Sequence, residues 1–530
     1  METIGGDFRA IQNNVTYTAG VPSFQIGNVN FSGGVFIGNY SCNTVSSTIS
    51  FMVTGNMNVA FAATTDIFAI HRLATLGTTA ATAKLFFQVG GDLSLSGVLG
   101  EFNSNNATGD EIINVLGLIN ISGGNNYFNV IPDYGNNGHL VTFTLNGNLN
   151  VSGGNTYLST EAGTLNANLL GSCTLSGGTL SLKGSPGIAA VNLTNDYLQS
   201  GGVLNIYNDA SVTSANAIDF TINGNFTQSG GAINYSTNTS STGINSIHLK
   251  GASYTLGALG SMSSAGAGVS VNFGVLNFNR SGTISMTRSG SHDIQQVKQN
   301  VITNCLLDVV TGNLQVASHA TAATDFLVVQ PSATLNLNSN QIYSNATAVN
   351  SGISLLNAAR LRTTHTAGFY NNTTVAALNN VGAMNFDLNQ NSIVEYYGTS
   401  NQVLTGINVG LATTNAHKYG ILEINNTGVG TYVTPTNLPT ATNGVYVREE
   451  LRLTNGILNL AGAAGNPVNG GRTVFVERAH PSAITRTNGF LRSEAQDHSG
   501  ALNWNVSNVV GTYTVLSLIH QPNIFLWCTP

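Results

Sequence analysis

The chain has 530 residues, of which 8% are charged and 42% apolar, with 61 glycines and a formal net charge of −6. A typical soluble domain carries about 25% charged residues, so the composition argues against a solvated disordered tail, and the lack of any Lys/Arg run argues against a nucleic-acid partner. No apolar stretch approaches the ~20 residues of a membrane-spanning helix, and the opening METIGGDFRA lacks the basic start and apolar core of a signal peptide.

Gly5-Gly6 already reads as a repeat turn, which favours a sequence that begins inside a longer one over a cytoplasmic protein. Ser-Gly-Gly then begins at Ser32, Ser122, Ser152, Ser176, Ser200 and Ser229, and the last five are separated by 30, 24, 24 and 29 residues. Phe143-Thr144-Leu145-Asn146-Gly147-Asn148-Leu149 returns as Phe220-Thr221-Ile222-Asn223-Gly224-Asn225-Phe226. Such a period belongs to a stacked array and is short for propeller blades of about 40 residues.

Within one repeat, Val141, Phe143 and Leu145 fall on alternate positions and share one face of a strand. Asn146-Gly147 supplies a corner, Leu149 and Val151 resume the alternation, and Gly153-Gly154 permits a second bend through positive φ. Thr156 and Leu158 continue a third strand. Stacking such coils at ~4.8 Å pairs strand on strand and buries the inward row. The expected fold is all-β, an elongated, right-handed parallel β-helix over residues 1–430. At ~24–30 residues per coil this gives roughly 15–18 coils in a rod about 70–85 Å long.

The best stretch for a helix is Gln295 to Asp308, and it is a weak one. "GSMSSAGAGVS" reads as a loop or tight corner. The segment 431–445, with Pro435 and Pro439, reads as a linker or protruding loop. Residues 141–240 hold five charged groups, whereas Arg448, Glu449, Glu450, Arg452, Arg472, Glu477, Arg478, Arg486, Arg492, Glu494 and Asp497 crowd the following segment. That predicts a smaller β-rich module or cap over 446–515.

"SIVEYYGTSNQVLTGINVG" and "KYGILEINNTG", between Ser392 and Gly428, followed by "LRLTNGILNLAG", "TVFVERAHPSAITRTNGFLRSE" and "LNWNVSNVVGTYTV", resemble large secreted surface proteins of Bacteroidetes. The resemblance is specific over about 392–515 and one of style upstream. It implies an extracellular, cell-surface stalk or adhesin exported by type IX secretion, with a removable signal and a C-terminal sorting domain, neither of which this sequence shows. The tail from Leu516 to Pro530 departs from that pattern and reads as a frame error or a truncated gene model.

Candidate chemistry is sparse. Asp196, Asp209 and Asp219 are the nearest acidic group within the regular coils, with only Lys183 as a neighbouring base. They suit corner caps better than a catalytic set or weak calcium ligands. Asp110-Glu111 offers a weak calcium loop. His292-Asp293 and Asp497-His498 are adjacent pairs whose side chains would point to opposite faces of a strand. Cys42, Cys173, Cys305 and Cys528 lack metal-type spacing and read as small buried side chains. Tyr157, Tyr207 and Tyr235 follow Ser-Gly-Gly corners and could form one tyrosine ladder, as stacking or as a glycan stripe.

No catalytic, cofactor-binding or metal-binding residue is assigned, and no cofactor. The reading favoured is a structural or adhesive stalk. A polysaccharide lyase or hydrolase is the alternative, as is a non-catalytic module binding extracellular polysaccharide; other surface proteins are further candidate partners. A carboxylate cluster with Arg or Lys on neighbouring coils would favour the enzyme, and uniformly uncharged faces the stalk.

Overall fold

A computed structural model describes residues 2–4, 8–11, 23–40, 48–72, 84–98, 100–102, 110–128, 140–160, 163–184, 187–208, 217–237, 244–263, 273–289, 299–315, 324–343, 351–369, 376–379, 385–404, 418–435, 445–460, 472–492 and 500–504. Strands dominate, and they pair in parallel. The one helical element among the described residues is a 3-10 turn, Pro481–Ala483. No helix among them is long and apolar enough to cross a membrane. The chain divides into two compact units, Met1–Asn277 with His292–Lys298, and Phe278–Ser291 with Gln299–Pro530.

The first unit is a β-solenoid of three parallel ladders. One ladder runs through Ser23–Ile26, Thr48–Val53, Lys84–Val89, Glu111–Val115, Leu140–Leu145, Thr164–Leu169, Ile188–Leu193, Ala217–Ile222 and Ile244–Leu249. A second joins Glu2–Ile4, Val29–Phe31, Met57–Phe61, Leu93–Gly97 and then 119–121, 149–151, Cys173–Leu175, Tyr197–Gln199, 226–228 and 254–256. The third follows each Ser-Gly-Gly corner, as in 155–159, Thr179–Lys183 and Val203–Tyr207.

Alternation decides what is buried. Val141, Phe143 and Leu145 face inward, as do Leu149 and Val151 after the Asn-Gly corner. Early coils fill the interior with phenylalanine: Phe36 stacks on Phe68, and Phe68 on Phe102, at 4.6 and 5.8 Å between centroids. Later coils stack Tyr197, Phe226 and Tyr254 at 5.4 and 5.0 Å. These rings add stacking to the area they bury.

Two corner devices fix the register. At the Ser-Gly-Gly corners from Ser122 to Ser229 the left-handed conformation falls on the second glycine, at Gly124, Gly154, Gly178, Gly202 and Gly231, with φ between 66° and 79°. The equivalent glycines lie against one another on one edge of the solenoid, as expected. Gly153, expected to need positive φ, does not have it; its requirement is close approach, since a Cβ there would stand 2.4 Å from the carbonyl oxygen of Ser122 one coil earlier.

At the other corner a side-chain oxygen accepts the backbone N–H of the equivalent residue in the next coil. Asn28 accepts from Asn56 at 2.7 Å, Asn56 from Asp92 at 2.9 Å and Asp92 from Leu118 at 2.8 Å. Asn148 accepts from Ser172, Asp196 from Asn225 and Asn225 from Ser253. Outward amides add a third set of links, Asn30 with Asn58, Asn120 with Asn150 and Asn205 with Asn234, each at 2.9 Å. An asparagine satisfies a neighbour's donor and carries no charge, which is why a stack of coils can be rich in Asn and poor in charge.

The second unit uses the same pairing. Residues 299–308 of the weak helical stretch are part of the strand Gln299–Thr311, which enters two ladders at 300–302 and 306–308, and residues 295–298 lie outside the described residues. One ladder continues through Thr324–Val329, Ser351–Leu355 and Asn385–Leu388. Another joins 306–308, Thr334–Asn336, Arg360–Thr363, Ile393–Gly398, Tyr419–Asn426, Val445–Asn455 and Ile484–Arg486. A smaller sheet holds Gln402–Leu404, Tyr432–Pro435, Ile457–Asn459 and Phe490–Arg492. Strands on both sides of the 431–445 segment thus pair in parallel, and Pro435 itself lies in a strand. Residues 436–444 and Leu516 to Pro530 lie outside the described residues.

Candidate functional site

The densest polar chemistry lies on the outward face of the ladder in the second unit that runs from 306–308 to Ile484–Arg486. Strand geometry turns alternate residues outward, and the register places Asp308, Asn336, Arg362, Glu395, Glu423, Arg452 and Thr485 in one column. Arg360 and Glu450 stand in the next outward column. In the first unit the matching columns hold mainly Asn, Thr and Ser.

The charges are matched atom by atom. Arg360 Nη1 donates to Glu395 Oε2 at 2.6 Å and to Glu423 Oε2 at 2.9 Å, binding the carboxylates of two successive coils. Arg362 Nε lies 3.4 Å from Glu395 Oε2, and Arg452 Nη1 4.0 Å from Glu423 Oε2. Asn425 donates to Glu395 Oε1 at 2.7 Å, and the hydroxyl of Thr454 to Glu423 Oε1 at 2.9 Å. Arg452 and Thr485 hold Glu450 in turn. At the other end Asp308 accepts from the amides of Asn336 and Asn338, whose side-chain oxygens accept from the Tyr397 hydroxyl. The Arg362 guanidinium lies 3.8 Å over the Tyr397 ring.

Burial sorts the roles. Glu395 is 2% exposed and Glu423 7%, whereas the three arginine side chains remain part-exposed above them. Burial works against the Arg360 charge, but Glu423 and Glu395 outweigh it and raise its pKa above the ordinary arginine value. A general acid or base must reach the substrate with a free proton or lone pair. Here every oxygen of both carboxylates already accepts from a neighbour. The arrangement ties coils together.

Among the described residues, the acids singled out in the sequence are not gathered into a site. Asp196 caps a corner, as expected. Asp219 sits on a ladder face with its Oδ1 3.1 Å from His248 Nε2, while Asn277 lies 3.3 Å from His248 Nδ1. Asp209, His292, Asp293, Asp497 and His498 lie outside the described residues. Lys183 is fully buried, with its ammonium 3.3 Å from Ser159 Oγ. Asp110 accepts from the Leu140 N–H at 3.3 Å, and Glu111 faces inward, 1% exposed. Among the described residues no group of His, Cys, Asp and Glu is placed to hold a metal ion.

The proposed tyrosine ladder does not form. Tyr157 is outward and stacks on Tyr127 at 5.3 Å, but its partner in the next coil is Ser181. Tyr207 pairs in register with Lys183, and both Tyr207 and Tyr235 are fully buried. Cys173 and Cys305 are buried and free, with burial pushing their thiols up to about 12 and about 11; Cys42 and Cys528 lie outside the described residues.

The charged column was missed because its members are scattered in sequence, with Arg360 and Glu395 separated by 35 residues and Arg360 and Glu423 by 63. The legible signal is the doublet Arg360-x-Arg362, answered at coil-length intervals by Glu395, Glu423 and Glu450-x-Arg452. Comparison of the chain with protein-family models, with curated proteins and with solved structures finds no match.

Proposed function

We propose that this chain is a structural or adhesive stalk of a secreted or cell-surface bacterial protein, acting by extension and surface contact. The observation that carries the reading is the use of its polar groups: corner Asn and Asp residues, outward amides and the Arg–Glu column all bond from coil to coil. A stalk needs such a stack, with a neutral, hydroxyl- and amide-rich surface for contact. The extracellular location and type IX export rest on the resemblance over 392–515. Deleting residues 84–263 from the protein in its native cell should weaken attachment or surface assembly, and undiminished attachment would count against the proposal.

One observation favours the second reading, a carbohydrate-active β-helix. Glu395 and Glu423 on successive coils, with Arg360, Arg362 and Arg452 beside them, are the combination of carboxylates and basic groups that polysaccharide chemistry requires. Against it stand the burial of both carboxylates and the hydrogen bond that each of their oxygens already accepts from a neighbouring residue.

A further inference from the structure

One guanidinium of the charged column is left over. Arg360 is engaged by Glu395 and Glu423, and Arg452 by Glu450, through Nε and Nη2 at 2.9 and 2.8 Å. Arg362 makes no hydrogen bond among the described residues: its Nε is buried without a partner, 3.4 Å from Glu395 Oε2 but too poorly aligned to donate to it. Its side chain is 27% exposed. We propose that Arg362 anchors a binding site for an acidic polysaccharide whose uronate residues are separated by neutral ones. The guanidinium takes one uronate carboxylate, and the amides of Asn425, Asn455 and Asn488 take hydroxyls of the sugars that follow. The inference gives a partner to the surface contact proposed above and rests on that reading.

A guanidinium presents a planar fork that meets the two oxygens of a carboxylate in parallel bonds. Here the plane is already set, because Arg362 lies 3.8 Å over the ring of Tyr397, and the Tyr397 hydroxyl is fixed in turn by Asn336 and Asn338. Little side-chain freedom is left to lose on binding. Glu395 does not close the fork, since its oxygens accept from Arg360 and Asn425.

Beyond Tyr397 the same file of the ladder continues in register as Asn425 and Asn455. The amides are joined, Asn455 donating to Asn425 Oδ1 at 2.7 Å and Asn488 to Asn455 Oδ1 at 3.4 Å. Each still has a second N–H and a second lone pair on its oxygen. A row of groups that both donate and accept, repeated at ~4.8 Å, suits hydroxyls, which a polysaccharide carries on every residue and an acidic peptide does not. The charge pattern selects among polysaccharides. Arg360, Arg362 and Arg452 are balanced by Glu395, Glu423 and Glu450, and Asp308 adds a further negative charge, so no long-range field draws in a polyanion. Recognition depends on contact at one fork, followed by neutral groups.

Isothermal titration of the full chain tests this with oligosaccharides of gellan, which carries one glucuronate among three neutral sugars, and of hyaluronan, in which glucuronate alternates with a neutral sugar. At least one should bind, and its uronate methyl ester should bind at least about tenfold more weakly, as expected for loss of charge-assisted bonds. Arg362→Gln should cost at least about tenfold and Asn488→Ala about threefold, while Arg478→Gln, outside the site, should leave affinity within about twofold. Polyglutamate should not compete. Binding of neither oligosaccharide, equal binding of the methyl ester, a folded Arg362→Gln or Asn488→Ala chain with parental affinity, an equal loss in Arg478→Gln, or competition by polyglutamate would each overturn the proposal. Should the Arg362 variant fail to fold, the ester comparison on the parent still decides. The deletion of 84–263 that tests the stalk reading falls within the first unit and leaves Arg362 and the three amides in place, so the two proposals fail separately.

Discussion

The hydroxyl of Tyr197 donates to Gln199 Oε1 at 3.0 Å, both side chains lying in the core of the first unit. Gln199 Nε2 in turn donates to the carbonyls of Gly201, Gly202 and Ala232, so one amide closes the glycine corner of its own coil and reaches the next. One coil on, Gln228 repeats the amide bonds to Gly231 and Ser261, but the ring above it is Phe226, and Gln228 Oε1 is buried without a donor. Phe226→Tyr should supply that donor and stabilise the chain by about 1 kcal/mol, whereas Tyr197→Phe should cost about 1–3 kcal/mol by leaving Gln199 Oε1 unpaired. Thermal or denaturant unfolding of the two variants checks both signs.

The paired glycines should differ from an unconstrained one. Gly153→Ala drives a Cβ into the Ser122 carbonyl, and Gly154→Ala strains a φ of 71° while meeting the backbone of Gly123 and Gly124. Each should destabilise by about 1–3 kcal/mol. Gly27 has no positive φ and open space where a Cβ would stand, so Gly27→Ala should be neutral or slightly stabilising, by about 0.4–1 kcal/mol. Equal losses at all three positions would contradict the close-approach argument.

The carboxylate of Asp66 accepts from the backbone N–H of Gly34, Ala62 and Ala63 at 2.9, 2.6 and 2.8 Å. Burial pushes its pKa up, and the three backbone bonds outweigh burial and hold it below the ordinary 3.8. A depressed folded-state value contributes stability that is present above the unfolded value and lost as pH falls through the folded one. Asp66→Ala should therefore destabilise at neutral pH by about 1–3 kcal/mol. The gap to the parent should narrow as pH drops below 3.8, which unfolding midpoints measured across that range would reveal.

Asp196 allows a sharper test of role. Its Oδ1 accepts from the Asn225 N–H at 2.7 Å, and an asparagine keeps that acceptor while losing the charge, as Asn148 and Asn225 do at equivalent corners. Asp196→Asn should leave stability within about 0.5 kcal/mol of the parent, and Asp196→Ala should cost about 1 kcal/mol. A large loss on the asparagine change would mean that the charge itself matters.

The solenoid was legible because its period is local. Val141, Phe143 and Leu145 announce an inward row, Asn146-Gly147 and Gly153-Gly154 announce corners, and coil length follows from their recurrence. The charged column was not legible, because Arg360, Glu395 and Glu423 meet only after register is set, and a one-residue slip would send one of them inward. The same limit explains the tyrosines: Tyr235 stands on the opposite strand face from Tyr157, whereas Tyr207 alternates on the same face as Tyr157 and is nevertheless fully buried. Sequence alone does not show what covers a face. The helical signal of Gln295 to Asp308 was weak for a physical reason: from Gln299 onward the stretch belongs to a long strand that passes from one ladder to the next.

The central claim is that the polar groups of this chain join coil to coil and turn over no substrate. The most direct measurement is product release from a panel of acidic and neutral polysaccharides incubated with the purified chain, with and without calcium, read both as new reducing ends and as unsaturated uronic products. The account predicts none above background. Release that disappears on Glu395→Gln or Glu423→Gln, in variants that remain folded, would contradict it and make the charged column an active site.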